Sequence, residues 1–419
     1  MKDFLDRYLT NKPIRNLLSA ALLLFVSVSL GCSLLYKKLG GNFAGPAEKM
    51  SEELSAGALK LIADAYEGID GQSLSDFHTH VVGLGKGNTG VFVHPGFLSW
   101  SSPRRHIQFN VYKSASGIKD DDYADFQYLE RLGQLIENKG GPSGKHYILA
   151  FDKHYRKDGT VDLDATEFYI PNSYVFNTAQ AHPDYYVPVM SVHPYKKDAI
   201  GELIHWASQG VRFMKWLPNA MGMDPSDPDL EPFYLKMKEL GVTLITHAGH
   251  EAAVEADEHQ KLGNPLLLRL PLDLGVRVIV AHCAGWKSNE DLDDPERPQV
   301  SNFKLFSRMM ENPKYNGLLF GEISTITQFN RMDEALKGLL EKPEWHGRLV
   351  NGSDYPLPAI NFLIHLKKLV KGGYINSEEA DLLREIYSYN PLTFDFVLKR
   401  TIRHPETGVR FAETVFEGL

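Results

Sequence analysis

The sequence predicts an α/β chain folded as a (β/α)8 barrel, preceded by an N-terminal membrane-anchor or signal segment. Three observations carry that expectation. Eight short apolar runs rich in Val, Ile, Leu and Phe alternate with helical patterns, and such runs suit strands covered on both faces. Two predicted helices end in glycine with a strand directly behind, at Leu240-Gly241 and Leu274-Gly275, a common helix-to-strand junction. Side chains able to do chemistry also recur at the ends of the runs. Lys215 to His247 spans 32 residues and His247 to His282 spans 35, each about one strand–helix unit.

In order, the strand runs are 74–80, 146–151, 186–193, 211–217, 242–248, 276–282, 318–323 and 348–352. Helical patterns cover 125–137, 199–208, 229–240, 302–311 and 332–341, with a leading helical segment over 47–66. A doubly wound open sheet shows the same alternation, because periodicity does not report closure. Two stretches break the rhythm. Residues 83–122 are rich in Gly, Ser and aromatics, and 285–300 carry a dense Asp/Glu/Pro cluster. Both are expected to be long loops, after strands 1 and 6, covering the mouth of the barrel. The expected division is a signal or anchor segment over 1–40, a linker and helix over 41–72, the barrel over 73–400 and a tail over 401–419.

The chain has 419 residues, 43% of them hydrophobic, enough for a substantial core. Its net charge of −8 arises from mixed signs with no block of like charge, so nucleic-acid binding gains no electrostatic support. Two cysteines, Cys32 and Cys283, make no disulfide framework and no cysteine-rich zinc site. Any metal must be held by His, Asp, Glu or Lys.

At the N-terminus, Lys2, Arg7, Lys12 and Arg15 precede an uncharged stretch over 17–36, closed by Lys37 and Lys38. At ~1.5 Å per residue that stretch is long enough to cross a hydrocarbon layer as a helix. The excess of basic residues before it favours a cytoplasmic N-terminus and an exported body. It reads either as an uncleaved anchor or as a cleaved signal in which Val28-Ser-Leu-Gly-Cys32 resembles a bacterial lipoprotein box. Both readings place the body outside the cytoplasm, at the cell envelope.

The run Ser75-Asp-Phe-His-Thr-His80 puts His78 and His80 two residues apart, on one side of a strand. Lys215, His247 and His282 end later strands, and Asp354 follows the eighth. Side chains at the carboxyl ends of barrel strands converge on one mouth, so these residues form a candidate metal site. Two other motifs fail. His250-Glu251 starts like a zincin helix, but Val254 stands where the second histidine belongs. Gly144-Lys145 is followed by His146, not by the Ser or Thr of a phosphate loop.

This set of residues resembles the amidohydrolase superfamily of TIM barrels: His-x-His on strand 1, His on strands 5 and 6, and Asp after strand 8. The phrases Gly210-Val-Arg-Phe-Met-Lys-Trp-Leu-Pro218 and Asn351-Gly-Ser-Asp-Tyr-Pro356 look most like its amidohydrolase-related branch. That branch includes the aminocarboxymuconate semialdehyde decarboxylase type. The resemblance runs from about residue 74 to 390. It implies one divalent ion, zinc by its donors, on His78, His80, His247 and Asp354, with Asp354 also acting as general base. It implies that His282 touches the metal's water, or ligates in a dinuclear centre. In that dinuclear alternative Lys215 would carry a bridging carbamate. As a bare cation it would clamp a substrate or pair with an acid such as Glu322. Asp76 is expected to bond backbone near the site, and His193 has no matching role.

The activity so implied is hydrolysis of an amide, ester or lactone of a small molecule by metal-activated water. The alternative is non-oxidative decarboxylation of an aromatic or enol acid. Arg104, Arg105 and Arg331, together with Glu322, are its candidate substrate-binding residues. A non-catalytic envelope binding protein is the third reading, and it is disfavoured because no expected ligand is missing.

Overall fold

The computed structural model describes Tyr36, residues 38–41, Phe43 and 45–419 apart from Glu255. Residues 1–35 of the predicted anchor or signal segment, with the Cys32 box, therefore lie outside the described residues. Among the described residues, no helix is long and apolar enough to cross a membrane.

Eight parallel strands form where the apolar runs predict them: β1 (Ser75–His80), β2 (Lys145–Leu149), β3 (Tyr186–Val189), β4 (Phe213–Trp216), β5 (Thr243–His247), β6 (Val278–Ala281), β7 (Leu319–Glu322) and β8 (Leu349–Val350). Ladders join β1 to β2 to β3, and β4 through β8 in order. Two sparser seams complete the ring. Met190 N donates to Phe213 O at 3.0 Å and Lys215 N to Met190 O at 2.7 Å, joining β3 to β4. Phe77 N donates to Asn351 O at 2.9 Å, and Asp354 N to His78 O at 2.7 Å, joining β8 to β1. The sheet is closed, which decides for the barrel over the open sheet. Phe77, Leu149, Val189, Ile245, Ile279, Phe320 and Val350 meet inside it, packed by Tyr147 and Phe213, so every strand fills the interior.

Helices Ala199–Ser208 and Asn302–Glu311 coincide with their predicted spans, and Ala124–Glu137 begins one residue early. The 332–341 segment opens as one π turn, Met332–Leu336, before Lys337–Leu340. The loop expectation over 83–122 needs correction, because helix Pro103–Ala115 occupies its middle. Only Val111 and Ala115 of that helix are buried, so it carries no apolar stripe for a sequence pattern to detect. It caps the mouth through Gln108, whose Nε2 donates to Ala253 O at 2.7 Å, and Tyr112, whose hydroxyl donates to the same carbonyl at 2.9 Å. Residues 285–300 hold a short antiparallel pair, Ser288–Glu290 with Gln299–Ser301.

The C-terminal tail belongs to the barrel floor. Ser75 N donates to Phe416 O at 2.9 Å, and Gly418 N to Ser73 O at 2.7 Å. Above it, helix Pro391–Thr401 buries Lys399, whose Nζ donates to Gly352 O and to Asp395 Oδ2, both at 2.6 Å. This pair braces the backbone two residues before Asp354. Burial raises the Asp395 carboxyl to about 6, against the pull of Lys399. A carboxyl raised on folding contributes least after it ionises, so stability falls as pH rises from 3.8 through about 6. Asp395→Asn is expected to flatten that decline. It should also lower stability at neutral pH by about 3–5 kcal/mol, because Lys399 loses its buried counter-ion. Calorimetric melts across this pH window check both effects.

Candidate metal centre

Alternation along the strands delivers most of the mouth residues. Phe213, Ile245 and Phe320 fill the interior, and the residues two further on, Lys215, His247 and Glu322, point the same way at the strand ends. Two strands depart from this period. The register of β1 slips between Asp76 and Thr79, which lets Phe77 join the interior while His78 and His80 reach the mouth. After β6, His282, Cys283 and Ala284 adopt left-handed backbone, with φ of 58, 48 and 52°. Asp354 and Thr325, past the ends of β8 and β7, do the same with φ of 58 and 53°. Left-handed non-glycine residues cost of order 1 kcal/mol or more each and concentrate at functional sites.

The side chains converge on Asp354. Its Oδ1 lies 2.9 Å from His80 Nε2 and 3.4 Å from His78 Nε2, and its Oδ2 lies 3.8 Å from His282 Nε2. Burial alone would raise this carboxyl. The facing imidazoles of His78, His80 and His282 instead hold it well below the usual carboxylate range. The ligand atoms of His78, His80 and Asp354 all lie within 4.8 Å of one another. Bonds of ~2.1 Å to a tetrahedral ion place its ligands ~3.4 Å apart, so the residues present fit a divalent metal. His247 stands beside this trio, its ring centroid 5.3 Å from that of His282. Its Nε2 is buried without a partner, and burial, then Lys215 and Arg331, push it down to about 3. A neutral imidazole with a free buried nitrogen is suited to ligation.

A second close group, His78, His282 and Glu322, is better read as hydrogen-bond wiring, because Ser324 fills its centre. Glu322 is fully buried and accepts from His78 Nδ1 at 2.9 Å, from Ser324 Oγ at 2.8 Å and from Ser324 N. Having given its proton to Glu322, Ser324 Oγ accepts from His282 Nδ1 at 2.7 Å. Thr325 Oγ1 lies 3.0 Å from the same nitrogen. One carboxylate thus links the Nδ1 atoms of both histidines and leaves both Nε2 atoms facing Asp354. Carboxylates that orient ligating histidines commonly change metal affinity by about 10–100-fold. Glu322→Gln is expected to weaken metal binding by that factor, measured by competition with a chromogenic chelator.

Two buried basic side chains border the site. Lys215 Nζ lies 3.1 Å from His78 Nε2, and burial lowers it to about 8 despite Asp354, Glu322 and Glu251 nearby. Arg331 is lowered by burial to about 10. Its Nη1 donates to Gln328 Oε1 at 2.7 Å, its Cζ lies 5.7 Å from the Trp286 ring centroid, and its buried Nε has no partner among the described residues. Among the described residues no carboxylate forms an ion pair with it. The other two arginines are placed differently. Arg105 is engaged by Glu167 at 2.6 Å, and Arg104 is mostly exposed, 3.6 Å from Asp257. Glu322 faces His78 instead of open space in the mouth.

Asp76 accepts from His78 N at 3.1 Å and Ser353 N at 2.8 Å, tying β1 to β8 as expected. His193 is structural: its Nε2 bonds Met221 O at 2.8 Å, and burial lowers it to about 3. The residues that sequence reasoning missed are Ser324, Thr325 and Glu251, whose Oε2 lies 3.5 Å from His247 Nδ1. A signal existed for one of them, since Glu322 and Ser324 alternate and share a face.

Comparison with known proteins gives a match of residues 152–304 to the amidohydrolase family model. No curated protein matches the sequence. Among solved structures, the chain is similar to an uncharacterized TIM-barrel protein from Bordetella bronchiseptica, with 16% identity and a TM-score of 0.46 over 75% of this chain and 99% of that one. It is also similar to 4-oxalomesaconate hydratase from Rhodopseudomonas palustris, with 15% identity and a TM-score of 0.41 over 75% and 95%. A third is 2,6-dihydroxybenzoate decarboxylase from Rhizobium, with 12% identity and a TM-score of 0.39 over 74% and 98%.

Proposed function

We propose that this amidohydrolase-superfamily enzyme hydrolyses an amide, ester or lactone bond in a small, negatively charged molecule, using a divalent metal held by His78, His80, His247 and Asp354. The observation that carries the reading is the meeting of Asp354 with three imidazoles beside the buried Arg331 guanidinium, which forms no ion pair among the described residues. When bound, the metal supplies Lewis acidity, polarising a carbonyl oxygen and making water more acidic.

The chain's own residues divide the remaining work. Asp354 stays ionised and offers its second oxygen as acceptor for a proton from water. His282, kept neutral by burial and wired through Ser324, presents an unprotonated Nε2 to the same space. It can take up or return a proton at the reacting carbonyl or leaving group. Arg331 receives the substrate's anionic group, a pairing worth most where water is excluded. Helix Pro103–Ala115 shields the mouth from solvent.

Arg331 also favours a second reading, non-oxidative decarboxylation, in which the guanidinium holds the carboxylate that is lost. A screen of metal-loaded protein over anionic esters, lactones and amides and over aromatic acids separates the two by product: hydrolysis yields a new acid, decarboxylation yields carbon dioxide. No turnover of either class would refute both. Arg331→Met is expected to raise KM for an anionic substrate by about 10–100-fold, the ~1.5–3 kcal/mol of a hydrogen bond to a charged group. KM for a neutral isostere should be unchanged, and initial-rate kinetics on the pair provide the check.

A further inference from the structure

A cavity of about 620 Å3 opens beside the loop after β8 and shares no residue with the metal centre. Its walls are apolar, formed by Ile360, Ile364, Leu366, Tyr387 and Phe394. Its rim is cationic, formed by Lys367, Lys368, Lys371 and Arg384, and no carboxylate lines it. Lys368 is paired with Asp333 at 2.8 Å and Arg384 with Asp381. Lys367 and Lys371 form no ion pair among the described residues. Two lysines without a counter-ion among the described residues, Lys367 and Lys371, on a chain of net charge −8 mark a face for an anionic partner. The apolar walls require that partner to bring hydrocarbon as well.

Two further observations identify the source of such an amphiphile. Asn361, on the lip of the cavity, holds the chain arriving from the N-terminus. Its N donates to Leu39 O at 3.0 Å and its Nδ2 to Lys38 O at 2.9 Å. Phe43 then packs on Tyr387, with ring centroids 5.9 Å apart. The uncharged stretch over 17–36, long enough to span a hydrocarbon layer, therefore joins the folded body at this cavity. Next to it Phe329 and Phe362 are 39% and 44% exposed, and Phe329 stacks on His365 with centroids 5.0 Å apart. Exposed aromatics among lysines are the composition of a surface that rests at a membrane interface.

We infer that this cavity binds the phosphate and upper acyl region of an anionic phospholipid, seating the mouth side of the barrel on a bilayer. The lip loop follows Asp354 past the carboxyl end of β8, the end of the barrel that carries the metal centre. A free phosphate would leave the apolar walls unused.

Hydrogen exchange on the full-length, metal-loaded chain tests this. Phosphatidylglycerol vesicles are expected to slow exchange several-fold across 357–371, and phosphatidylcholine vesicles are not. Lys367→Glu with Lys371→Glu should lose that slowing while keeping metal content and melting temperature. If charge reversal impairs folding, the milder Lys367→Gln with Lys371→Gln pair provides the same reading. Slowing confined to 17–36, equal slowing by the neutral vesicles, or slowing by inorganic phosphate without vesicles would each overturn the inference. So would full slowing retained in a folded double variant.

Discussion

His80→Ala is expected to yield a folded protein that retains no divalent ion and loses activity by a factor of ~10³ or more, about the several kcal/mol a Lewis acid contributes. The choice of His80 over His78 matters. His80 has 28% of its side chain exposed, and its buried partner Asp354 keeps His78 at 3.4 Å and His282 at 3.8 Å when His80 is truncated. Removing His78 would instead leave fully buried Glu322 without its Nδ1–H donor, mixing loss of stability with loss of the site. Metal content by atomic emission and activity with and without added ion check the outcome. Full metal content in folded His80→Ala would remove this residue from the ligand set.

His282→Ala separates catalysis from ligation. The variant is expected to keep its metal and lose a factor of ~10²–10⁴ in kcat, the scale of a general acid–base group. The expectation follows from position: His282 Nε2 lies 3.8 Å from Asp354 Oδ2, further than either partner in the close trio. Its Nδ1 is committed to Ser324 and Thr325. Ser324→Ala should show a smaller fall in kcat of the same kind, because the histidine would keep Thr325 as its orienting partner. Loss of metal in His282→Ala would place this histidine among the ligands and argue for a dinuclear centre.

Most of the scaffold was legible in the chain because it rests on local signals. The eight strands announce themselves as apolar runs, since each is covered inside by barrel residues such as Ile245 and Ile279 and outside by helices. The strand-end spacing of Lys215, His247 and His282 marked one mouth, because barrel geometry sends equivalent positions to a common end. Where the signal was weak, the reading failed. Helix Pro103–Ala115 has two buried residues and a polar surface, so nothing periodic distinguishes it from a loop.

The sequence by itself determined the eight-fold strand–helix alternation and the histidines and aspartate that could meet at one set of strand ends. Tertiary structure alone decided closure, which rests on a few backbone bonds between β3 and β4 and between β8 and β1. It also decided the roles. Glu322 and Arg331, both proposed from sequence as substrate contacts, part company in space: Glu322 orients two histidines, while Arg331 stays free of any carboxylate among the described residues. Tautomer and pairing depend on which side chains from distant strands come within about 3 Å, and periodicity carries no record of that distance. His78 and Glu322 are 244 residues apart in the chain and 2.9 Å apart in the fold.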